Sequence, residues 1–114
     1  MTGTLAVEDY RDLASWKQAR FVVCALLAFT ESLARRAESR RFAAEINRLS
    51  ISILDNMAKG YEGEGDRTFL VKARQSIKLL ETQLKLAHEN DVLSASDSVL
   101  LTRELNAVKR SLMK

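Results

Sequence analysis

The sequence contains no proline and only four glycines in 114 residues. An all-β sandwich or barrel needs a turn signal about every 8–12 residues, so this scarcity argues against both folds. The single cysteine excludes a disulfide framework and a cysteine-based zinc cluster. Because there is also only one histidine, no nucleophile–base set or multi-ligand metal site can be assembled. We therefore expect neither an enzyme nor a bound cofactor.

Long hydrophobic runs are also missing. The longest apolar run covers residues 21–29, whereas a membrane-spanning helix needs about 18 or more apolar residues. Residues 1–8 lack the basic segment of a secretory signal. The unpaired Cys24 suits a reducing compartment, and we interpret it as a small buried hydrophobic residue. These features predict a cytoplasmic protein that does not associate with a membrane.

What the sequence does contain is typical of a folded, soluble, helical domain. Hydrophobic residues make up 46% of the chain and charged residues 29%, and the length fits one domain over residues 1–114. Apolar residues recur at helical spacing in four segments, which predicts helices over residues 10–36, 40–60 and 67–89 and from Ser94 or Ser96 to 113. The third helix has a seam spaced 3,4,3,4,3, formed by Leu70, Ala73, Ile77, Leu80, Leu84 and Ala87. This pattern predicts an all-α, up-down-up-down four-helix bundle.

Residues that commonly begin or end helices flank these segments. Asp9, Ser39 and Asp66 stand where N-caps of the first three helices are expected, and Ser94 or Ser96 where the fourth begins. Gly60 can adopt the left-handed conformation that ends a helix. We therefore predict that the second helix stops at Gly60.

The helices carry more apolar surface than a small bundle can bury. A core-facing helix needs about three apolar positions in seven, but residues 21–29 are apolar on every side, and further apolar residues lie outside the main seams. One interpretation is a deeply buried first helix with scattered surface leucines. We favour a second, intermolecular seam. The expected oligomer interface comprises Phe21, Phe29, Ile51, Leu54, Leu79 and Leu86.

Basic residues form two clusters in a chain with a net charge of +3 and a pI of about 9.2. Charge runs are usually solvated faces, but they can also bind nucleic-acid phosphates. The first cluster, between helices one and two, is Arg35, Arg36, Arg40 and Arg41. The second cluster, on helix three, is Arg67, Lys72, Arg74 and Lys78.

Two polar residues, Ser52 and Asn56, lie one turn apart on the second helix, beside its apolar seam. They are candidates for a ligand or nucleotide contact, or for a buried polar pair that fixes register or assembly geometry. We favour the structural role for this pair.

Metal-binding patterns are incomplete. His88 is preceded three residues earlier by Lys85 instead of the glutamate of a di-iron motif, so we expect a solvated histidine. Acidic residues alternate over residues 62–66 as in a calcium loop, but Ala73 stands where the bidentate glutamate is required. We interpret this segment as a solvated loop.

Three motifs in order resemble one family. The chain opens with YRDLASW at residues 10–16, continues with EINR at 45–48 and SILDNMAKGY at 52–61, and carries LETQL at 80–84. These motifs resemble those of the 23S rRNA intervening sequence proteins over nearly the whole chain. Leu54 stands where the family usually has proline, and Lys59 where it usually has glutamate.

The resemblance implies a four-helix bundle that assembles as a ring of five and has no established enzymatic activity. It also implies distant kinship with the accessory proteins of diversity-generating retroelements, which are basic pentamers that bind nucleic acid and a reverse transcriptase. The first functional hypothesis is therefore a non-enzymatic homo-oligomeric scaffold that binds RNA, DNA or a protein acting on them. The alternative is a purely structural or protein-interaction oligomer without nucleic-acid contact.

Overall fold

The computed structural model describes Tyr10, residues 13–62 and residues 67–112. Over these residues the chain forms α1 (Ala14–Leu33), a short 3-10 helix (Ala37–Ser39), α2 (Arg40–Glu62), α3 (Thr68–Glu89) and α4 (Ala95–Ser111). No strand occurs in this part of the chain. The predicted all-α class and the four helices are confirmed.

The four helices form an elongated bundle of 52 × 21 × 21 Å. Each helix packs against its neighbours in sequence, and α1 also packs against α4. Neighbouring helices run in opposite directions, as two contacts show. Ser15 at the start of α1 bonds to Tyr61 at the end of α2, and Gly60 near the end of α2 approaches Leu70 near the start of α3. In this packing order α1 and α3 lie diagonally across the bundle, and their outer faces point to different sides.

The core follows the apolar seams of the sequence. On α3, the positions from Ala73 to Ala87 of the predicted seam are completely buried, and Leu70 packs against the core from its edge. They meet Ile46, Ile53 and Leu105, which are also completely buried. The 3,4,3,4,3 spacing therefore identified the inward face of this helix correctly.

The ends of the first helix and one predicted N-cap differ from the structure. The first helix begins at Ala14 and ends at Leu33, three to four residues inside each predicted end, because Leu13 and Arg36 have extended backbones. Ser39 does not cap α2: its hydroxyl is buried and makes no hydrogen bond to the described residues. Ser94 caps α4 as predicted, accepting a hydrogen bond from the backbone N–H of Asp97 at 3.2 Å. The expected caps Asp9 and Asp66 lie outside the described residues.

Gly60 does not end the second helix, which continues to Glu62. The residue is buried, and a Cβ atom added to it would lie 2.5 Å from Cδ2 and 2.7 Å from Cγ of Leu70. Its lack of a side chain therefore allows α2 and α3 to approach closely, which is a packing role and not a helix-terminating one. The prediction of a stop at this glycine was wrong.

Replacing Gly60 by alanine is expected to destabilise the protein. Alanine favours a helix by about 1 kcal/mol over glycine, but forcing a methyl group into a packed contact costs about 1–3 kcal/mol. We expect a net loss of about 1 kcal/mol in the free energy of unfolding, measured by urea denaturation. In a Leu70→Ala background the obstruction is gone, and the same change should become neutral or stabilising. A more stable Gly60→Ala single variant would contradict the packing role.

Candidate nucleic-acid interface

The arginines of the first basic cluster all lie exposed at one end of the bundle, but they do not form one surface. Arg40 lines the groove between α1 and α2, whereas Arg41 lines the groove between α2 and α3 and lies 5.8 Å from the ring centroid of Phe42. Arg36 approaches the carboxylate of Glu38 at 3.9 Å. Side chains adjacent in sequence are thus directed to different grooves.

The residues of the second cluster lie on two different sides of α3. Successive residues of a helix are rotated by about 100°, so Arg67, Arg74 and Lys78, spaced seven and four apart, share one stripe. Lys72 lies off this stripe, with its Nζ 5.0 Å from the ring centroid of Phe69. Lys59 of α2 lies 5.7 Å from the same centroid, which places Lys72 on the side of α3 that faces α2.

Basic residues outside the two predicted clusters extend the stripe of α3. Lys85 continues it seven residues after Lys78. On α4, Arg103 and Arg110 are also seven residues apart and line one shallow surface depression. We call the combined surface the α3–α4 basic face. Its members are Arg67, Arg74, Lys78, Lys85, Arg103 and Arg110.

An ion pair fixes the two halves of this face relative to each other. The Nζ of Lys109 on α4 donates to Oε1 of Glu81 on α3 at 2.9 Å, and both side chains are mostly buried. Glu81 lies three residues after Lys78 and four before Lys85, so it lies beside the α3 stripe, and its charge is satisfied by Lys109. The helical spacing of seven would have revealed the α4 row, but the pairing of Glu81 with Lys109 has no sequence signal.

Four of the six cations of the face have no acidic partner among the described residues. Within the part of the chain that the structure describes, the side chains of Lys78, Lys85, Arg103 and Arg110 have no carboxylate at ion-pair distance. The Nε of Arg74 is buried and makes no hydrogen bond to the described residues. These four cations place positive charge on both helices of the face.

The groove between α2 and α3 differs from the α3–α4 basic face, because Arg48, its second arginine, is paired with a carboxylate. Arg48 donates from Nε and Nη2 to the two carboxylate oxygens of Glu45, at 2.8 and 2.9 Å. These hydrogen bonds hold the pKa of Glu45 below its ordinary value of 4.5 and raise the pKa of Arg48. Since each charge satisfies the other, Arg48 adds little positive potential to nearby Arg41.

Ser52 and Asn56 form part of a polar bridge between α2 and α3. The hydroxyl of Ser52 lies 2.8 Å from that of Ser76. The side-chain amide of Asn56 donates to the carbonyl oxygen of Ser52 at 2.9 Å and to its hydroxyl at 3.1 Å. This geometry links the register of the two helices, and Ser76 is the partner that the sequence did not indicate.

Cys24 is exposed, so its assignment to the core was wrong. The buried positions in that run are Val22, Val23 and Leu26, and Cys24 falls on the outer side of the same turns. His88 is exposed as expected, and its Nδ1 lies 3.0 Å from the carbonyl oxygen of Leu93. No group of three or more histidine, cysteine, aspartate or glutamate side chains suited to a metal occurs within the described residues; most of the acidic segment 62–66 lies outside them.

Four of the six residues expected at an oligomer interface are exposed. Phe21 is 69% exposed, Leu79 56%, Ile51 51% and Leu86 40%. Phe29 and Leu54 are instead half-buried and pack against the core, which leaves them less surface for a partner. Other exposed apolar side chains, which were not predicted, are Leu13, Val71, Val99 and Leu100.

Residues of the three motifs that resemble those of a known family pack against one another or lie in the core. The ring of Tyr10 lies edge-on to Trp16 at 5.0 Å and stacks on Tyr61 at 5.9 Å between centroids. The hydroxyl of Tyr61 lies 2.9 Å from that of Ser15, so the opening motif meets the end of the second one. Leu80 and Leu84 of the third motif are completely buried. These motif residues therefore contribute to the packing of the bundle.

Comparisons with known proteins identify the family from the whole of the bundle. No curated protein and no solved structure is similar enough to the chain to be matched with significance. None of the helices described is both long enough and apolar enough to cross a membrane. The family model of the 23S rRNA-intervening sequence proteins matches residues 11–114, which include all four helices and, except for Tyr10, the three motifs. The chain belongs to the 23S rRNA-intervening sequence protein family.

Proposed function

We propose that this protein is a non-enzymatic scaffold that assembles into a homo-oligomeric ring and binds nucleic acid through basic surfaces. The observation that carries the proposal is the exposed apolar surface, which occurs on all four helices and is greatest at Phe21. Single exposed apolar residues are normal in monomers, but large side chains exposed in such number are typical of an association surface. The exposed, unpaired Cys24 suits the reducing cytoplasm.

The placement of the apolar residues supports a ring. Phe21 lies on the outer face of α1, whereas Leu79 and Leu86 lie on the diagonal helix α3, on its shoulder toward α2. When two different faces of one chain meet, the contact is heterologous, and repeating it closes a ring where its rotation divides a full turn. The number of subunits that we propose, five, comes from the family resemblance.

The basic surfaces support nucleic acid as the partner. In a ring, each basic surface is repeated once per subunit, so individually weak phosphate contacts add through avidity. The apolar shoulder of α3 that bears Leu79 and Leu86 is separate from the stripe that bears Lys78 and Lys85. The Leu79–Leu86 pair and the Lys78–Lys85 pair therefore lie on different sides of this helix.

Binding to labelled DNA and RNA at increasing salt tests the proposal. Phosphate contacts release counterions, so the logarithm of the association constant should fall linearly with the logarithm of the salt concentration. We expect binding without strong sequence preference, measured by fluorescence anisotropy, because the described helices present no base-reading motif. A wild-type protein that does not bind at about 50 mM salt would contradict nucleic-acid binding and favour an oligomer that only binds proteins.

A further inference from the structure

We infer that the α3–α4 basic face binds the sugar–phosphate backbone of a nucleic-acid duplex. The inference rests on the proposed function and adds to it the binding surface and the form of the nucleic acid. The surface consists of two rows of cations on antiparallel helices, with Arg67 to Lys85 on α3 and Arg103 to Arg110 on α4.

The dimensions of this face suit an extended polyanion. The row on α3 spans 18 helical steps, or about 27 Å at 1.5 Å per residue. The row on α4 runs beside it at the separation of packed helices, about 8–10 Å. Duplex DNA carries one negative charge per about 1.7 Å of its axis, so a straight, rigid duplex can contact several of these cations at once.

The face is also held in position before binding. The bond between Lys109 and Glu81 ties α4 to α3 and offsets the negative charge of Glu81, which would otherwise repel phosphate. The helices themselves are fixed by the buried residues Ile77, Leu84 and Leu105. Since the cations are carried on a rigid support, little ordering of the backbone opposes binding.

The absence of aromatic side chains favours a duplex over a single strand. Proteins that bind single strands stack the bases on aromatic rings, whereas duplex backbones require only cations and polar groups. No aromatic residue occurs in α4, and the one aromatic residue of α3, Phe69, is covered by Lys59 and Lys72 on the side toward α2. The face therefore offers charge but no stacking surface.

The arginines between α1 and α2 are a weaker candidate for the same role. Arg40 and Arg41 line different grooves, Arg36 faces Glu38, and Arg41 lies against Phe42. A straight backbone cannot contact both grooves as one continuous row. This cluster therefore provides a comparison in which the same number of positive charges can be removed elsewhere on the surface.

Two variants with equal loss of charge test the inference. The face variant replaces Lys78, Lys85, Arg103 and Arg110 by glutamine, and the matched control replaces Arg35, Arg36, Arg40 and Arg41 by glutamine. All eight side chains are exposed, and circular dichroism checks that both proteins remain helical. The probes are a labelled DNA duplex of about 20 base pairs, longer than the ~27 Å row, the RNA duplex of the same sequence, and the corresponding single strands.

We expect the wild type to bind duplexes at least tenfold more tightly than single strands at about 50 mM salt. The face variant should lose at least tenfold in duplex affinity, and its salt slope should decrease by up to about 0.9 for each cation removed. The control variant should lose less than about threefold. The two duplexes then show whether DNA or RNA supplies the backbone.

Other results would overturn the inference in distinguishable ways. If the wild type binds duplexes but the control variant loses more affinity than the face variant, the α3–α4 face is not the site, although the proposed function stands. If single strands bind as tightly as duplexes, the assignment to a duplex is wrong. If the wild type binds none of the probes, the proposed function fails together with the inference.

Discussion

Replacing Leu80 by alanine is expected to lower the free energy of unfolding by about 2–5 kcal/mol, the usual cost of a large-to-small change in a packed core. Leu80 is completely buried at the centre of the α3 seam. Its neighbours on the same seam, Ile77 and Leu84, are completely buried as well, so they cannot move inward freely to fill the cavity. Urea denaturation at a fixed protein concentration measures the change.

An exposed residue of the same helix provides the control for this variant. Lys85 on α3 is exposed, and its replacement by alanine should change stability by no more than about 0.5 kcal/mol, as at other surface sites. If Leu80→Ala also costs less than about 0.5 kcal/mol, the inward face of α3 has been assigned wrongly. The orientation assigned to the α3–α4 basic face, which depends on this seam, would then be wrong too.

Placing a charge in either apolar face should dissociate the ring. Phe21→Glu on α1 and Leu79→Glu on α3 each put a carboxylate where we propose that a neighbouring subunit packs, and an unpaired charge buried in an interface is strongly unfavourable. Both wild-type side chains are more than half exposed in the single chain, so each variant should still fold. Light scattering after size exclusion should give the mass of one chain, 12.8 kDa.

Mixing these two variants tests the heterologous contact. The Phe21→Glu protein keeps its Leu79 face, and the Leu79→Glu protein keeps its Phe21 face. If these faces meet each other in the ring, an equimolar mixture should form a one-to-one dimer and stop there. Lys85→Glu on the basic face is the control and should keep the wild-type mass. Single variants that keep the wild-type mass would show that these faces are not the interface.

The fold was largely predictable because burial in a bundle repeats with the helix. The seam of α3 follows the period of a left-handed bundle, and each of its positions from Ala73 to Ala87 is buried. What failed were assignments that depend on a neighbouring helix. Glycine commonly ends helices, but Gly60 lies inside α2, which continues to Glu62. Its lack of a side chain leaves room for Leu70 of α3, and no local pattern reveals this contact.

The basic surfaces were less predictable, because sequence proximity and spatial proximity differ on helices. Arg40 and Arg41 are adjacent in the chain but line different grooves. Conversely, Glu81 and Lys109 are 28 residues apart in the chain but pair across α3 and α4. The exposure of Cys24 was missed for a related reason, since an apolar run longer than two turns must place some of its residues on the outer side.

The molar mass of the unmodified protein in solution tests the central claim most directly, because ring assembly is the basis of the proposed scaffold. Light scattering at micromolar concentration should give about five times the chain mass of 12.8 kDa. A mass of 12.8 kDa under the same conditions would contradict the account, since the exposed Phe21, Ile51 and Leu79 would then be ordinary surface residues of a monomer.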